Sequence, residues 1–176
     1  MDIRKIPACS KDGNVYVVVE IPKGGRNKYE YDKDLGVIAL DRTLYSAVYY
    51  PTDYGFVPCT RGADGELLDM MVMTEEPVFP GCLVESRLIG VLTITHSSGL
   101  PEQKLLGVPI NEPLFKDHNN ISDVRPHFLK EIEHFFDVFK DLEGSDVGVL
   151  GWEDAARAQR VLDQAIRDYE AYGESR

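Results

Sequence analysis

Short apolar runs bounded by turn-forming residues fill the first two-thirds of the chain. The β-branched run at 15–21 ends at Pro22 and the pair Gly24-Gly25, a pattern typical of a strand followed by a turn. The other predicted strands are residues 28–32, 37–40, 68–73, 83–94 and 105–108. Five or more short strands separated by glycine and proline turns favour a small closed barrel.

The last third of the chain has a helical period instead. Pro126 suits the first turn of one helix, and a second helix is predicted from about residue 153 to 169, with Glu153 and Asp154 at its positive end. The apolar face of the first helix consists of Phe128, Leu129, Ile132, Phe135, Phe136 and Phe139. That of the second consists of Ala158, Val161, Leu162, Ala165, Ile166 and Tyr169. We therefore predict one α+β domain over residues 1–176, a barrel flanked by two α-helices.

Charge and composition narrow the function classes. A net charge of −11 argues against nucleic acid as a partner, because phosphate backbones require a basic surface. No apolar run reaches the roughly 18 residues that span a bilayer, and the N-terminus lacks the apolar core of a secretory signal. The three cysteines are Cys9, Cys59 and Cys82. Their odd number and wide spacing predict reduced thiols in a cytoplasmic protein and argue against a zinc site.

An acidic turn is the most suggestive local feature. Asp64, Glu66 and Asp69 surround Gly65 and lead directly into an apolar run. Carboxylates clustered on a turn are suitable ligands for a hard divalent cation. Acidic turns are also common as solvated loops, so this segment alone leaves both interpretations open.

Several motifs occur in one order along the chain and together resemble the family I soluble inorganic pyrophosphatases. The resemblance extends from about residue 6 to 169. The matching segments are residues 16–22 (YVVVEIP), 26–30 (RNKYE), 40–42 (LDR), 50–56 (YPTDYGF), 64–69 (DGELLD), 77–81 (PVFPG), 134–136 (HFF), 140–143 (KDLE) and 151–152 (GW).

This resemblance implies a fold and an activity. The fold would be an OB-like five-stranded β-barrel flanked by helices, assembled as a homohexamer. The activity would be hydrolysis of inorganic diphosphate to two phosphates by a water molecule that divalent metal, normally Mg²⁺, activates. The reaction needs clustered acids and bases, because metal ions and cationic side chains must offset the negative charge of diphosphate.

The resemblance also assigns roles to individual residues. Tyr54, Asp64 and Glu66 match catalytic positions. The metal positions correspond to Glu20, Asp64, Asp69 and Glu102, and the phosphate-binding cations to Lys28, Arg42, Lys104 and Lys140. Glu30 and Tyr50 match a further acid and a further tyrosine of the cavity. Residues such as Lys28 and Arg42 could instead be exposed charges of a strand or a surface ion pair.

The chain departs from the family pattern mainly at metal positions. Glu66 stands where an aspartate is usual, Glu102 replaces another, and Phe139 replaces a tyrosine. A further aspartate is replaced by His96 or, in a shifted alignment, Ser97. A cavity-facing His96 would favour Mn²⁺, Co²⁺ or Zn²⁺ over Mg²⁺; otherwise it is a loop residue of a surface hairpin.

These departures leave two further hypotheses beside diphosphate hydrolysis. The same scaffold could hydrolyse another phosphorylated substrate, since the lost hydroxyl at Phe139 and the altered segment 96–102 change the predicted phosphate contacts. It could also be a non-catalytic binding or assembly homologue whose metal site has decayed. The retained lysine, arginine, tyrosine and aspartate set favours the pyrophosphatase.

Overall fold

The computed structural model describes residues 2–96, 99 and 101–173, which form eight β-strands and two α-helices. The strands are β1 (Val15–Ile21), β2 (Asn27–Asp32), β3 (Val37–Thr43), β4 (Asp53–Val57), β5 (Leu68–Val72), β6 (Leu83–His96), β7 (Pro101–Pro109) and β8 (Val147–Asp154). The helices are α1 (Pro126–Val138) and α2 (Ala155–Tyr172). Single 3₁₀ turns lie at Ile3–Lys5, Pro113–Phe115, Ile121–Asp123 and Asp141–Glu143.

Five of the strands close into a ring. The hydrogen-bonded order is β1, β4, β5, β7 and β6, and β6 pairs back with β1. Within the ring β5 and β7 run parallel, and the other neighbouring pairs are antiparallel. β8 joins the free side of β6, and β2 and β3 form a separate two-stranded hairpin. This arrangement confirms the predicted α+β fold with a five-stranded barrel and two helices.

The two helices bury different faces of the strands. Met71 of β5 packs in the cluster that contains Ile132 and Phe136 of α1. Its neighbours along the strand, Met70 and Val72, pack in the cluster of α2 instead. This alternation follows from the period of two in a strand. Each helix in turn buries one face on the strands, so each shows an apolar stripe in the sequence.

Two strands were not predicted from the sequence. β4 is buried along its whole length, so it shows no alternation, and Gly55 resembles a turn residue. A Cβ at Gly55 would lie 2.0 Å from the carbonyl oxygen of Val18, so only glycine lets β1 and β4 approach. β8 contains two glycines and continues to Asp154. The second helix, predicted from about residue 153, therefore begins two residues later, since Asp154 is the N-cap of α2 and accepts a hydrogen bond from the backbone N–H of Arg157 at 2.8 Å.

Two expectations drawn from composition can be compared with the structure. None of the three cysteines, all of which lie in described parts of the chain, forms a disulfide. Within residues 2–96, 99 and 101–173 no helix has the length and apolar character needed to cross a bilayer.

Candidate active site

A cavity of about 440 Å³ lies between the barrel, the β2–β3 hairpin and the end of α1. It collects nearly every site residue that the sequence predicted. The predicted residues that line it are Glu20, Lys28, Glu30, Tyr50, Tyr54, Asp64, Glu66, Asp69, His96, Glu102, Lys104, Phe139 and Lys140. Arg42 does not line the cavity, but it lies opposite Lys28 in the hairpin register. Residues from five separated parts of the chain therefore meet in one hollow.

A buried lysine connects the acids at the floor of this cavity. Lys104 is 4% exposed, and its Nζ donates to the hydroxyl of Tyr54 and to Oδ2 of Asp69, each at 2.7 Å. It also donates to Oε1 of Glu102 at 2.5 Å, and the Tyr54 hydroxyl donates to Asp69. These contacts fix the two predicted metal carboxylates, Asp69 and Glu102, on either side of one ammonium group.

The pKa values of the groups at the floor are shifted in the directions that these hydrogen bonds and burial favour. Although burial opposes ionisation, Lys104 and His96 hold the pKa of the Glu102 carboxyl down at about 2. Burial also opposes the charge of Lys104, yet Asp69 and Glu102 raise the pKa of its ammonium. Burial and the charge of Asp69 raise the pKa of the Tyr54 hydroxyl. At neutral pH Glu102 is therefore an anion, Lys104 a cation, and Tyr54 a neutral donor.

Glu20 is a carboxyl group that accepts a backbone hydrogen bond and is compensated only weakly by the charge of Lys28. Its Oε1 accepts a hydrogen bond from the backbone N–H of Tyr31 at 2.7 Å. Burial, together with the charge of Asp69, raises the pKa of Glu20 to about 8. A carboxyl group shifted this far lies where an added cation would be strongly stabilising.

The acidic turn forms one side of the cavity mouth. The backbone N–H of Glu66 donates to Oδ1 of Asp64 at 3.0 Å, and Gly65 between them has a φ of +89°, which glycine adopts without strain. The side chain of Glu66 is 62% exposed and its Oε2 lies 3.0 Å from Nζ of Lys33. In this arrangement Asp64 is fixed by its own turn, whereas Glu66 is held by a rim lysine.

His96 lies in the cavity and is not a residue of an exposed loop. It is the last residue of β6, and its Nε2 lies 2.6 Å from Oε2 of Glu102 on the neighbouring strand. The alternative candidate for this position, Ser97, lies outside the described residues. The imidazole therefore contacts a predicted metal carboxylate directly.

Two of the predicted phosphate-binding cations, Lys28 and Lys140, line the cavity away from the Lys104 network. Lys28 pairs with Glu30 and lies 3.4 Å from Asp41. Burial, together with the positive charges of Lys104 and Lys28, lowers the pKa of Lys140. Cations that raise one another's free energy in this way form a favourable place for a multiply charged anion.

The donor set suits hard divalent cations, although its members do not yet converge. Among the described residues no three Asp, Glu, His or Cys side chains already stand close enough together to bind an ion. The carboxyl groups lining the cavity nevertheless outnumber its lysines by six to four, and the raised pKa of Glu20 means that a bound cation would favour its ionised form. Oxygen ligands with excess negative charge fit Mg²⁺, so Glu20, Asp64, Asp69 and Glu102 are suitable ligands.

The acids also border a second groove, of about 490 Å³, on the side of α2. Asp64, Asp69 and Glu102 line both hollows. Lys28, Lys104 and Lys140, which were predicted to bind phosphate, line the first hollow and not the second, so the first is the candidate active site.

Sequence reasoning missed three residues that complete the site. Lys33 lines the cavity and pairs with Glu66, and Asp41 contacts both Lys28 and Arg42. Glu143 accepts two hydrogen bonds from the guanidinium of Arg42. Each lies in or beside a matched motif, but a motif does not reveal which residues of distant segments pair.

Comparison with known proteins gives a consistent result. The family model described as "Inorganic pyrophosphatase" matches residues 17–170. The inorganic pyrophosphatase of Nostoc sp. is 46% identical over 169 residues, which is 96% of this chain and 99% of that protein. That of Methanosarcina mazei is 48% identical over 153 residues, 87% of this chain and 90% of that protein.

Solved structures of inorganic pyrophosphatases are also similar to this chain. The inorganic pyrophosphatase from Thermus thermophilus superposes with a TM-score of 0.92 at 38% identity, covering 97% of this chain and 99% of that one. The one from Helicobacter pylori has a TM-score of 0.89 at 39% identity, covering 94% and 99%.

Proposed function

The chain belongs to the inorganic pyrophosphatase family and hydrolyses inorganic diphosphate, and we propose that the reaction takes place in the cavity described above. In this reaction a water oxygen bonds to one phosphorus, the bridging oxygen leaves with the other, and two phosphates result. The observation that carries the proposal is the meeting of acids and lysines around one hollow of about 440 Å³.

Glu20, Asp64, Asp69 and Glu102 would hold the divalent cations. Bound Mg²⁺ would neutralise the diphosphate oxygens and acidify a water molecule. The network around Lys104 supports this role, because it fixes Asp69 and Glu102 before any ion arrives. Nε2 of His96 contacts the Glu102 carboxylate, so the imidazole would position that carboxylate. We therefore retain Mg²⁺ as the cation, with Mn²⁺, Co²⁺ and Zn²⁺ as alternatives to be tested.

The cationic side chains would bind the phosphate groups. Lys28 and Lys140 face the hollow from the hairpin and from the end of α1, where their ammonium groups can neutralise the departing phosphate. Lys104 would act from the floor, and Arg42 from the rim. Phe139 contributes no hydroxyl, but its ring lies 5.3 Å from Nζ of Lys140 and limits where that lysine can move.

Glu66 and Tyr54 would assist the attacking water, Glu66 directly and Tyr54 through Asp69. Glu66 lies at the mouth, where its carboxylate can accept a proton once it leaves Lys33. Tyr54 would hold Asp69 in place through its hydroxyl. The hydroxyl can donate this hydrogen bond because its raised pKa keeps it protonated at neutral pH.

Assembly and location are part of the same proposal. Tyr45, Phe79, Leu142 and Leu150 each expose more than 60% of their surface, which supports association with further copies, a homohexamer by resemblance. Three cysteines without a disulfide support a cytoplasmic location.

The decisive experiment measures phosphate release from diphosphate with Mg²⁺, Mn²⁺, Co²⁺ and Zn²⁺ in turn. Asp69→Asn is the control variant, because it removes a carboxylate at the floor. We expect turnover well above that control with at least one ion. Equal rates for both proteins with every ion would overturn the proposal. A panel of phosphomonoesters and other phosphoanhydrides tests the alternative substrate class, which would need a rate above that for diphosphate.

A further inference from the structure

A carboxylate from a distant segment holds the guanidinium of Arg42. Nε of Arg42 donates to Oε1 of Glu143 at 3.1 Å, and Nη2 donates to Oε2 at 2.7 Å. The two side chains are 26% and 15% exposed, so the pair is partly shielded from water. Two parallel N–H···O bonds of this kind fix both the position and the plane of a guanidinium. We call this pair the Arg42–Glu143 clamp.

The clamp joins two parts of the site that are otherwise separate. Arg42 lies on β3, and the β2–β3 hairpin forms a sheet of its own, outside the ring. Glu143 lies in the 3₁₀ turn Asp141–Glu143, which directly follows Lys140. The clamp therefore connects the hairpin that carries Lys28 and Arg42 to the segment that carries Lys140.

The clamp leaves part of the guanidinium available. Arginine has five N–H donors. Glu143 takes two, and Asp41 contacts Nη1 and takes a third. Within the described part of the chain, two donors therefore remain on a group whose plane is already set, and two N–H groups are what a bidentate contact to a phosphate requires. A group fixed before binding loses less conformational entropy when the ligand arrives.

We propose that Glu143 is a positioning residue for diphosphate binding, which acts by holding Arg42 at the edge of the cavity, opposite the cavity-lining Lys28, where its remaining donors can reach a bound phosphate. This inference rests on the proposed function, in which Arg42 contacts a phosphate group. Glu143 itself does not touch the substrate. Its removal therefore weakens substrate binding and changes the chemical step much less.

The test compares Glu143→Gln with Asp141→Asn, a matched control that removes the same charge from the same exposed turn. We expect Glu143→Gln to raise KM for diphosphate about tenfold, while kcat changes less than about threefold. Glu143→Asp, which keeps the carboxylate, should recover part of the loss. A KM for Glu143→Gln that equals or falls below that of Asp141→Asn would overturn the proposal.

A second background shows whether Glu143 acts through Arg42. In Arg42→Ala protein the further change Glu143→Gln should leave KM unaltered, because the group it positions is absent. If Glu143→Gln raised KM as much in Arg42→Ala protein as in wild type, Glu143 would not act through Arg42. If Glu143→Gln fails to fold, as judged by circular dichroism, Glu143→Asp replaces it in both backgrounds. Wild-type protein without diphosphatase activity would refute the proposed function itself, an outcome distinct from active enzyme with no clamp effect.

Discussion

The imidazole Nε2 of His96 lies 2.6 Å from Oε2 of Glu102. The two residues lie on neighbouring strands of the ring, since His96 ends β6 and Glu102, the register partner of Ile94, lies near the start of β7. Lys104 contacts the other oxygen of the same carboxylate. Glu102 is thus held through both oxygens, one by an imidazole and the other by an ammonium group.

The first prediction concerns His96→Ala. The Glu102 carboxylate loses one of its two restraints, so we expect the dissociation constant for Mg²⁺ to rise about tenfold, measured by calorimetry on the substrate-free protein. His127→Ala is the control, because His127 is an exposed histidine whose side chain is 85% accessible. Equal Mg²⁺ affinities for wild type and His96→Ala would contradict the positioning role.

The same variant distinguishes a ligand from a positioning residue. An imidazole that binds the ion directly makes a larger contribution to Mn²⁺ than to Mg²⁺. A loss of equal size for both ions is expected here. A selective loss of Mn²⁺ affinity would instead identify His96 as a ligand.

The second prediction is that Lys104→Met destabilises the metal-free protein. Asp69 and Glu102 would then face each other without the buried ammonium that separates them. We expect a loss of about 3 kcal/mol in the free energy of unfolding, measured with urea in a chelator. Lys130→Met, on the exposed side of α1, is the control and should change stability by less than about 0.5 kcal/mol.

Saturating Mg²⁺ should restore part of that stability, because a divalent ion replaces the missing positive charge. A Lys104→Met protein as stable as wild type in chelator would show that the lysine does not neutralise these acids.

Helical periodicity and apolar runs predicted most of the elements. The stripe from Phe128 to Phe139 gave the helix observed as Pro126–Val138, and the apolar run at 68–73 gave β5, although both faces of that strand are buried. β4 was missed because Asp53 and Gly55 resemble turn residues and interrupt a short segment. What makes this segment a strand is the close approach to β1 at Gly55, a contact that exists only after folding.

The candidate site, like the fold, could be predicted from the sequence only in part. Residue types and motif order identified the lining residues of the cavity, because the chemistry of diphosphate demands acids and cations together. The partners of those residues could not be read from the sequence. Glu143 is 101 residues from Arg42, and only the packing of the turn after α1 against the hairpin brings them together.

Asp53 provides a third prediction, and a contrast with the site acids. It is fully buried, and it accepts hydrogen bonds from the backbone N–H of Lys23 at 2.8 Å and from the Thr74 hydroxyl at 2.6 Å. Asp53→Asn turns a donor toward these donors, so we expect a loss of about 2 kcal/mol in stability by urea unfolding. KM and Mg²⁺ affinity should stay at wild-type values. Asp12→Asn, at an exposed position, is the control, and a raised KM in Asp53→Asn would place Asp53 in the site.

The last prediction concerns acid stability and Asp123. The carboxylate of Asp123 accepts hydrogen bonds from the backbone N–H groups of Asn119 and Asn120, both at 2.9 Å. These bonds, with a smaller contribution from His118, lower its pKa below the ordinary value of 3.8. Because the folded pKa is the lower one, the ionised group stabilises the fold fully above pH 3.8, and this contribution is lost as the pH falls through the folded pKa.

Asp123→Asn should therefore unfold at a lower urea concentration than wild type at pH 6, and the two midpoints should converge as the pH is lowered below about 4. The unfolding can be followed by the fluorescence of Trp152. Asp117→Asn, at an exposed position in the same loop, controls for the loss of one negative charge and should not show the same convergence. A midpoint difference that stays constant while the pH falls well below 3.8 would mean that the interaction does not depend on the charge of Asp123. Convergence would identify the carboxylate as the group that holds the 3₁₀ turn Ile121–Asp123, whose neighbour Asn120 also accepts the backbone N–H of Ala155 at the start of α2.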